Sequence, residues 1–378
     1  MQSIPLCEPS LDGNARRYVD DAVATGWVSS VGAYVDRFEA DFAATVGTPH
    51  AVATSSGTTA IHLALTVLGV GPGDLVLVND STFIASANPV RHCGAEVGLI
   101  DSEERSWNLD PALLAQALDD CARAGRLPKA VIVVHILGQP ADLGPIVDAC
   151  ARHGVAIVED AAEALGAGYD LTYPHPACRG RQVGTIGRIG CYSFNGNKII
   201  TTGGGGMLAT SDAELAKRLK HLSTQAKLPG AAFLHDAVGY NYRLTNLAAA
   251  LGCAQLERLE AFIARKRAIA DRYRVVGPRL GITWQPRLAG SVPTDWLASC
   301  LVGPRRDAIM AELGAVGMTA RPLWYPISAQ LPYRGSRRWG GAVADRLAAE
   351  GLSLPCSVSF SEDQQERVIG SLARIMVG

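Results

Sequence analysis

The segment Val155-Ala-Ile-Val-Glu-Asp160 decides the fold, because its apolar residues run straight into two acids. A short, unbroken apolar run reads as a strand buried on both faces, and such strands belong to parallel sheets covered by helices. The sequence on either side repeats the pattern. Ala51–Thr54, Leu75–Val78, Val97–Ile100 and Ala130–Ile136 read as strands. Thr58–Leu68, Phe83–His92, Pro111–Ala122 and Asp142–His153 read as the helices between them. Ile189–Phe194 and Met207–Thr210 follow as strands without a long helix between them, and Ser211-Asp-Ala-Glu214 reads as a capping box opening a helix Ala213–Leu222. The alternation predicts an α/β unit with a mainly parallel central sheet sandwiched by helices.

Further along, Thr245 is expected to cap one long helix running through Leu256, Leu259 and Ile263 towards Tyr273. Beyond it the texture changes. Ile282–Gln285 and Trp296–Val302 read as strands, and Arg306–Val316 and Gln364–Val377 as helices, which predicts a smaller C-terminal α+β unit. The expected division puts residues 1–255, with the N-terminal segment, in the large domain and 256–378 in the small one. A chain of 378 residues is long enough for more than one such unit.

Composition narrows the function. With 48% hydrophobic and 19% charged residues the chain is globular, and a net charge of -1 gives no basic field for nucleic acid or anionic membrane. No run is apolar enough to span a bilayer, and the opening Met1–Pro5 lacks the regions of a signal peptide. Nine cysteines, none in a Cys-x-x-Cys pair and several in apolar stretches such as Cys150 and Cys253, point to reduced thiols and the cytoplasm. A small-molecule substrate fits this balance.

Three segments carry chemistry. Thr54-Ser-Ser-Gly-Thr-Thr-Ala60 lies between a strand and a helix, where small residues and free N–H groups suit a phosphate, with the Ser56 and Thr58 hydroxyls as further donors. Alone it is equally a plain strand-to-helix turn with a cap. Asp160 ends a buried strand at the sheet edge where ligands bind, and a carboxylate there can keep a pyridinium nitrogen protonated; capping the next helix or ligating a metal are its other readings. Lys198 is one of only six lysines, and it leaves an apolar strand ahead of Gly203-Gly-Gly-Gly206. An amine desolvated in such a setting becomes a usable nucleophile and base. Phosphate cradle, acid and lysine at successive strand ends form a set that can hold one pyridoxal 5'-phosphate. His135, at the end of a strand, reads as a satisfied core histidine. Lys227 and His235 read as solvated.

The chain resembles the DegT-type sugar aminotransferases, which are fold-type-I pyridoxal-phosphate enzymes. The likeness runs through Gly26-Trp-Val-Ser-Ser-Val-Gly-Ala-Tyr-Val-Asp-Arg-Phe-Glu39, Val134-His-Ile-Leu-Gly-Gln-Pro-Ala-Asp142 and Glu159-Asp-Ala-Ala-Glu-Ala-Leu-Gly166. It continues in Ser193-Phe-Asn-Gly-Asn-Lys-Ile-Ile-Thr-Thr-Gly203, Gly239-Tyr-Asn-Tyr-Arg-Leu-Thr-Asn246 and Leu251-Gly-Cys-Ala-Gln-Leu256. Within that family it most resembles the nucleotide-sugar 4-aminotransferases of bacillosamine and legionaminic acid pathways. The resemblance implies that Lys198 forms a Schiff base with the cofactor and that Asp160 pairs with the ring nitrogen. Glu163 would contact the ring oxygen and Phe83 would stack on the ring. Gly57, Thr58 and Ser193 would hold the phosphate, joined by Asn241 from the second subunit of a homodimer. It implies L-glutamate as donor and a keto group on a nucleotide-linked sugar, C4 by the nearest likeness and C3 as the alternative, as acceptor.

Two rivals share this fold. Dehydratases of the family carry His where the Schiff-base lysine stands, which Lys198 contradicts, and a non-catalytic regulator would have no use for the three segments together. Two stretches depart from the pattern. Leu171-Thr-Tyr-Pro-His-Pro-Ala-Cys-Arg179 is an insertion, read either as lying at the active-site mouth or as a solvated loop. Arg321-Pro-Leu-Trp-Tyr-Pro-Ile-Ser328 only partly matches the relatives' substrate-side segment, where a Met-His pair is usual.

Overall fold

The computed structural model describes residues 3–230 and 232–377. Eight strands form the main sheet in the order His50–Thr54, Gly206–Thr210, Ile189–Ser193, Ala156–Asp160, Ala130–Val134, Leu75–Asn79, Glu96–Ile100 and Arg338–Trp339. Gly206–Thr210 alone runs against its neighbours; the other pairings are parallel. Alternate residues of one strand enter opposite cores. Val131 and Val133 join one apolar cluster while Ala130 and Ile132 join the other. Both faces are therefore dry, which is why these strands are continuously apolar rather than alternating.

A second, antiparallel sheet orders Arg321–Pro322, Gly351–Leu354, Ala298–Leu301 and Thr283–Trp284. Its helices are Leu259–Val276, Arg306–Ala315 and Glu362–Val377. We propose the boundary between the two units at the break after Leu256. The helix Asn246–Leu256 packs on helices Ala15–Ala24 and Ala33–Val46, whereas Leu259–Val276 packs on the second sheet. Two segments cross over: Ile4 bridges to Met318, and Arg338–Trp339 completes the edge of the large sheet.

Three local expectations need correction. The single long helix after Thr245 is two helices. Thr245 does cap the first, accepting the Ala248 N–H at 3.2 Å, but at the break Glu257 turns to accept from Tyr18 Oη, Asn14 Nδ2 and Arg37 Nη2 at 2.7–2.8 Å. Phe83–His92 is a 3-10 turn, Ile84–Ser86, followed by a short helix, Asn88–His92; Pro89, lacking an N–H, fits only its first turn. Asp212, not Ser211, caps helix Ala213–Ser223, where its charge also suits the helix dipole.

The insertion at 170–182 does not reach the cavity described below and is largely exposed, as its solvated-loop reading has it. Two of its residues anchor it: Tyr173 and Cys178 are buried, and Tyr173 Oη donates to Asp142 Oδ1 at 2.6 Å beside the start of helix Leu143–His153. Among the described residues no helix is long and apolar enough to cross a membrane.

Glu159 holds the centre together. Fully buried, it accepts from His135 Nε2 at 3.0 Å and from the N–H groups of Gly184, Ile186 and Gly187 at 2.5–2.7 Å. His135 is thus the satisfied core histidine expected, its Nδ1 accepting from Ala141 N. Burial raises the Glu159 carboxyl, but the hydrogen bonds from His135 and the backbone donors outweigh it and hold the group below its ordinary value. Such a group stabilises the fold fully above the unfolded carboxylate range and loses that contribution as pH falls below roughly 4. Glu159→Leu should therefore cost at least about 3 kcal/mol at pH 7, since it orphans several buried donors. Denaturant midpoints measured at pH 7 and pH 3 should show the deficit shrinking in acid; an equal deficit at both would contradict the assignment.

Candidate active site

A cavity of about 430 Å³ opens at the carboxyl ends of the parallel strands. Ser56, Gly57, Thr58, Phe83, Asp160, Glu163, Ser193 and Lys198 all line it, so eight of the nine expected site residues meet in one place. Asn241 does not line it; it is exposed and bridges to Thr224.

The floor follows from strand register. Asp160 pairs with Cys191 across parallel strands, so the chain leaving Ser193 turns directly over the acid. That turn is closed by Lys198 N–H to Asn195 O at 2.9 Å. The Lys198 side chain, 13% exposed, brings Nζ to 3.6 Å from Glu163 Oε1 and 4.0 Å from the centroid of the Trp296 ring. The desolvated setting expected for Lys198 therefore contains an acid and an indole face, both of which attract an ammonium.

Asp160 Oδ2 accepts from Ser86 Oγ at 2.7 Å and Oδ1 from Ala162 N at 3.1 Å, so it also caps the turn that follows. Burial pushes its carboxyl up, against the pull of Ser86, Ala162 N–H and the Lys198 charge. Glu163 is likewise raised by burial and opposed chiefly by Lys198. Its Oε2 accepts the Leu137 N–H at 2.7 Å, and Leu137 holds a left-handed backbone at φ 59° to deliver it. A non-glycine residue pays about 1–3 kcal/mol for that conformation, and such strain gathers at working sites.

The phosphate end is built by close approach. Ser56 caps helix Gly57–Val67, its hydroxyl accepting from Thr59 N at 3.1 Å, while Ser56 O takes Ala60 N. The Ser56 oxygen accepts in the cap through a lone pair, which leaves its O–H able to donate into the cavity it lines. The N–H groups of Gly57 and Thr58 remain for an anion at the positive end of the helix. A Cβ on Gly57 would stand 2.8 Å from Ser193 Cβ, so only glycine fits there.

Arg321–Trp324, expected on the substrate side, do line the cavity. The other wall residues, Leu6, Trp296, Leu297 and Ser353, come from the N-terminal segment and the small unit and were not expected from the sequence. Trp296 Nε1 donates to Asn197 O at 2.7 Å and its ring stacks at 12° on Trp324. Ser86 lay unremarked inside an expected helix. Asp80 was missed as well: fully buried, it accepts from Ser328 N at 2.8 Å, Ser328 Oγ at 2.9 Å and Arg338 Nε at 2.5 Å. It anchors the wall segment 321–328 to the end of strand Leu75–Asn79. The only local signal was an Asn-Asp pair at a strand end. Among the described residues no cluster of metal-ligating groups occurs.

A lysine, two acids and a phosphate cradle at the carboxyl edge of such a sheet define a pyridoxal-phosphate-type fold and site. The chain belongs to the DegT/DnrJ/EryC1/StrS aminotransferase family, whose model matches residues 9–373. It is 39% identical over 381 residues to the putative pyridoxal phosphate-dependent aminotransferase EpsN of Bacillus subtilis, covering 99% of this chain and 96% of that one. To GDP-perosamine synthase of Caulobacter vibrioides it is 38% identical, covering 99% and 98%. The crystal structure of the aminotransferase TlmJ from Streptoalloteichus hindustanus superposes with a TM-score of 0.90 at 31% identity, covering 100% and 99%. The protein is a pyridoxal-phosphate-dependent sugar aminotransferase acting on nucleotide-sugar substrates. The residues fit that cofactor: free N–H donors and a glycine-only cradle for its phosphate, buried acids for its ring, and an amine for its aldehyde.

Removing the Asp80 anchor tests how the wall is held. Asp80→Asn should cost about 3 kcal/mol, the scale for breaking a buried charge pair. Thermal unfolding reads the loss, and limited trypsin digestion should cut first at Arg334. Unchanged melting and digestion would show that the wall stands without Asp80.

Proposed function

We propose that the protein moves an amino group from L-glutamate to a keto group, at C4, of a nucleotide-linked deoxy sugar. The observation that carries this reading is Lys198 Nζ inside the cavity, between Glu163 and the Trp296 ring. Pyridoxal phosphate supplies an aldehyde and an electron-withdrawing ring. Lys198 would hold that aldehyde carbon, and its free amine would take a proton from the donor's α-carbon and return it one atom away. Asp160, oriented by Ser86, keeps the ring nitrogen protonated, and a cation before it reverses the effect of burial on its carboxyl. Glu163 meets the ring oxygen and Phe83 covers the ring face. Gly57 and Thr58 N–H groups, with Ser56 and Ser193, hold the phosphate.

Arg321, exposed at the cavity wall, places a positive charge where a sugar's diphosphate link would lie. The C4 assignment rests on the likeness to 4-aminotransferases, with GDP-perosamine synthase among the relatives. We further propose a homodimer in which Asn241 enters the second copy's site. Its neighbours Phe233, Leu234 and Val238 are 83%, 61% and 89% exposed, an apolar surface that a second subunit would cover. Nine cysteines outside any disulfide suit the cytoplasm.

Lys198→Ala should abolish the cofactor's visible absorbance and lower turnover by at least about a thousandfold, the range of acid–base and covalent roles combined. A variant keeping both would remove Lys198 from the mechanism. The substrate is read by loading the enzyme in its amino form and finding which keto-sugar nucleotides restore the absorbance. Restoration by a 3-keto sugar but not a 4-keto sugar would overturn the C4 assignment, and a spectrum indifferent to glutamate would overturn the donor.

A further inference from the structure

Lys266 lies in the middle of helix Leu259–Val276 and is only 2% exposed. Its Nζ donates to Trp296 O at 2.9 Å and to Cys7 Sγ at 3.1 Å, and stands 3.7 Å from Cys356 Sγ. Its hydrogen-bond partners include no carboxylate. A buried ammonium requires a counter-charge, and a thiolate is the one its surroundings can supply. Cys7 is drawn down to about 5 by the hydrogen bond from Cys356, against burial, and by the charges of Lys266 and Lys198. Every other cysteine is pushed upward: Cys93, Cys121, Cys150, Cys178, Cys191, Cys253 and Cys300 by burial, and Cys356 by Cys7 first and burial second. Cys7 is also partly exposed, whereas Cys356 is buried behind it. The Cys356 N–H donates at 2.7 Å to the carbonyl of Leu6, the residue before Cys7, and both sulfurs lie against the one Lys266 amine, so the two are near neighbours.

We propose that Cys7 is a peroxide-reactive thiolate, with Lys266 as its counter-ion and Cys356 as its resolving thiol. The Cys7 sulfur attacks one oxygen of a hydroperoxide; the O–O bond breaks, leaving a sulfenic acid and, after protonation, water or an alcohol. The Cys356 sulfur then attacks Cys7 Sγ, the S–O bond breaks, and the departing hydroxide takes the Cys356 thiol proton as water. Two thiols are oxidised to one disulfide and one peroxide is reduced. The bond would fasten together two walls of the cavity, since Leu6 and Ser353 both line it. In its thiol form Cys7 Sγ donates to Asn197 O at 3.5 Å, next to Lys198, a bond that ionisation of Cys7 gives up in exchange for the Lys266 ammonium.

The holoenzyme, treated with hydrogen peroxide and digested without reductant, is examined by peptide mass spectrometry. The expected product joins the Cys7 and Cys356 peptides with the loss of two hydrogen atoms, and dithiothreitol reverses it. In Cys356→Ser the reaction should stop at a Cys7 sulfenic acid that a 1,3-diketone traps. Without any variant, iodoacetamide at pH 6 should label Cys7 at least ~10-fold faster than any other cysteine, because an ordinary thiol holds well under ~1% thiolate there. The proposal is overturned if other cysteines oxidise or alkylate first, or if the product instead carries an added oxygen between the Cys7 and Lys266 peptides. These readouts are independent of which sugar the enzyme aminates.

Discussion

Asp160 and Glu163 lie three residues apart, and strand Ala156–Asp160 delivers both into the interior. Burial drives each carboxyl towards its neutral form, and for Glu163 the charge of Asp160 adds to the effect. Lys198 is the cation that opposes this at both. Two acids can share so dry a place only because the neighbouring strand, paired parallel at Cys191, hands the lysine across in the turn after Ser193. Sheet register therefore fixes the charge balance of the site before any ligand arrives.

The turn that carries Lys198 is held from the small unit. Trp296 donates its indole N–H to the Asn197 carbonyl, lays its ring against the Lys198 amine and receives Lys266 on its own carbonyl. One tryptophan thus couples the lysine turn of the large sheet to a helix of the other unit. The crossing of Ile4–Cys7 and of residues 338–339 between the units has the same consequence: the cavity's walls belong to a structure closed on itself, not to two lobes set side by side.

Features written in local chemistry were legible in the sequence. Val155–Asp160 declares a strand by apolar continuity, Thr245 declares a cap, and Lys198 stands out because few lysines occur and four glycines follow it. Features written in tertiary contacts were not. Leu256, Leu259 and Ile263 keep helical spacing across a break that exists because Glu257 bonds to Tyr18, Asn14 and Arg37, more than 200 residues earlier. The left-handed Leu137 is imposed by Glu163, and no pattern around it announces a positive φ. Asp80 bonds to Ser328, 248 residues away, and Trp296 to Asn197, 99 residues away, so neither contact has a signature in its own neighbourhood.

The same division separates reaction from substrate. The floor of the cavity comes from strand ends, where backbone register alone sets which side chains converge, and those residues perform steps common to any amino transfer. The walls come from Leu6, Trp296, Arg321–Trp324 and Ser353, brought together only by folding of the second sheet and the return of the N-terminal segment. A keto sugar must be oriented by these groups, because the floor is occupied by the cofactor it shares with every other acceptor. On that reading, differences between acceptors would be differences in how the walls meet the sugar ring and its nucleotide, and the wall that Asp80 anchors at Ser328 carries Arg321 and Trp324 into the cavity lining.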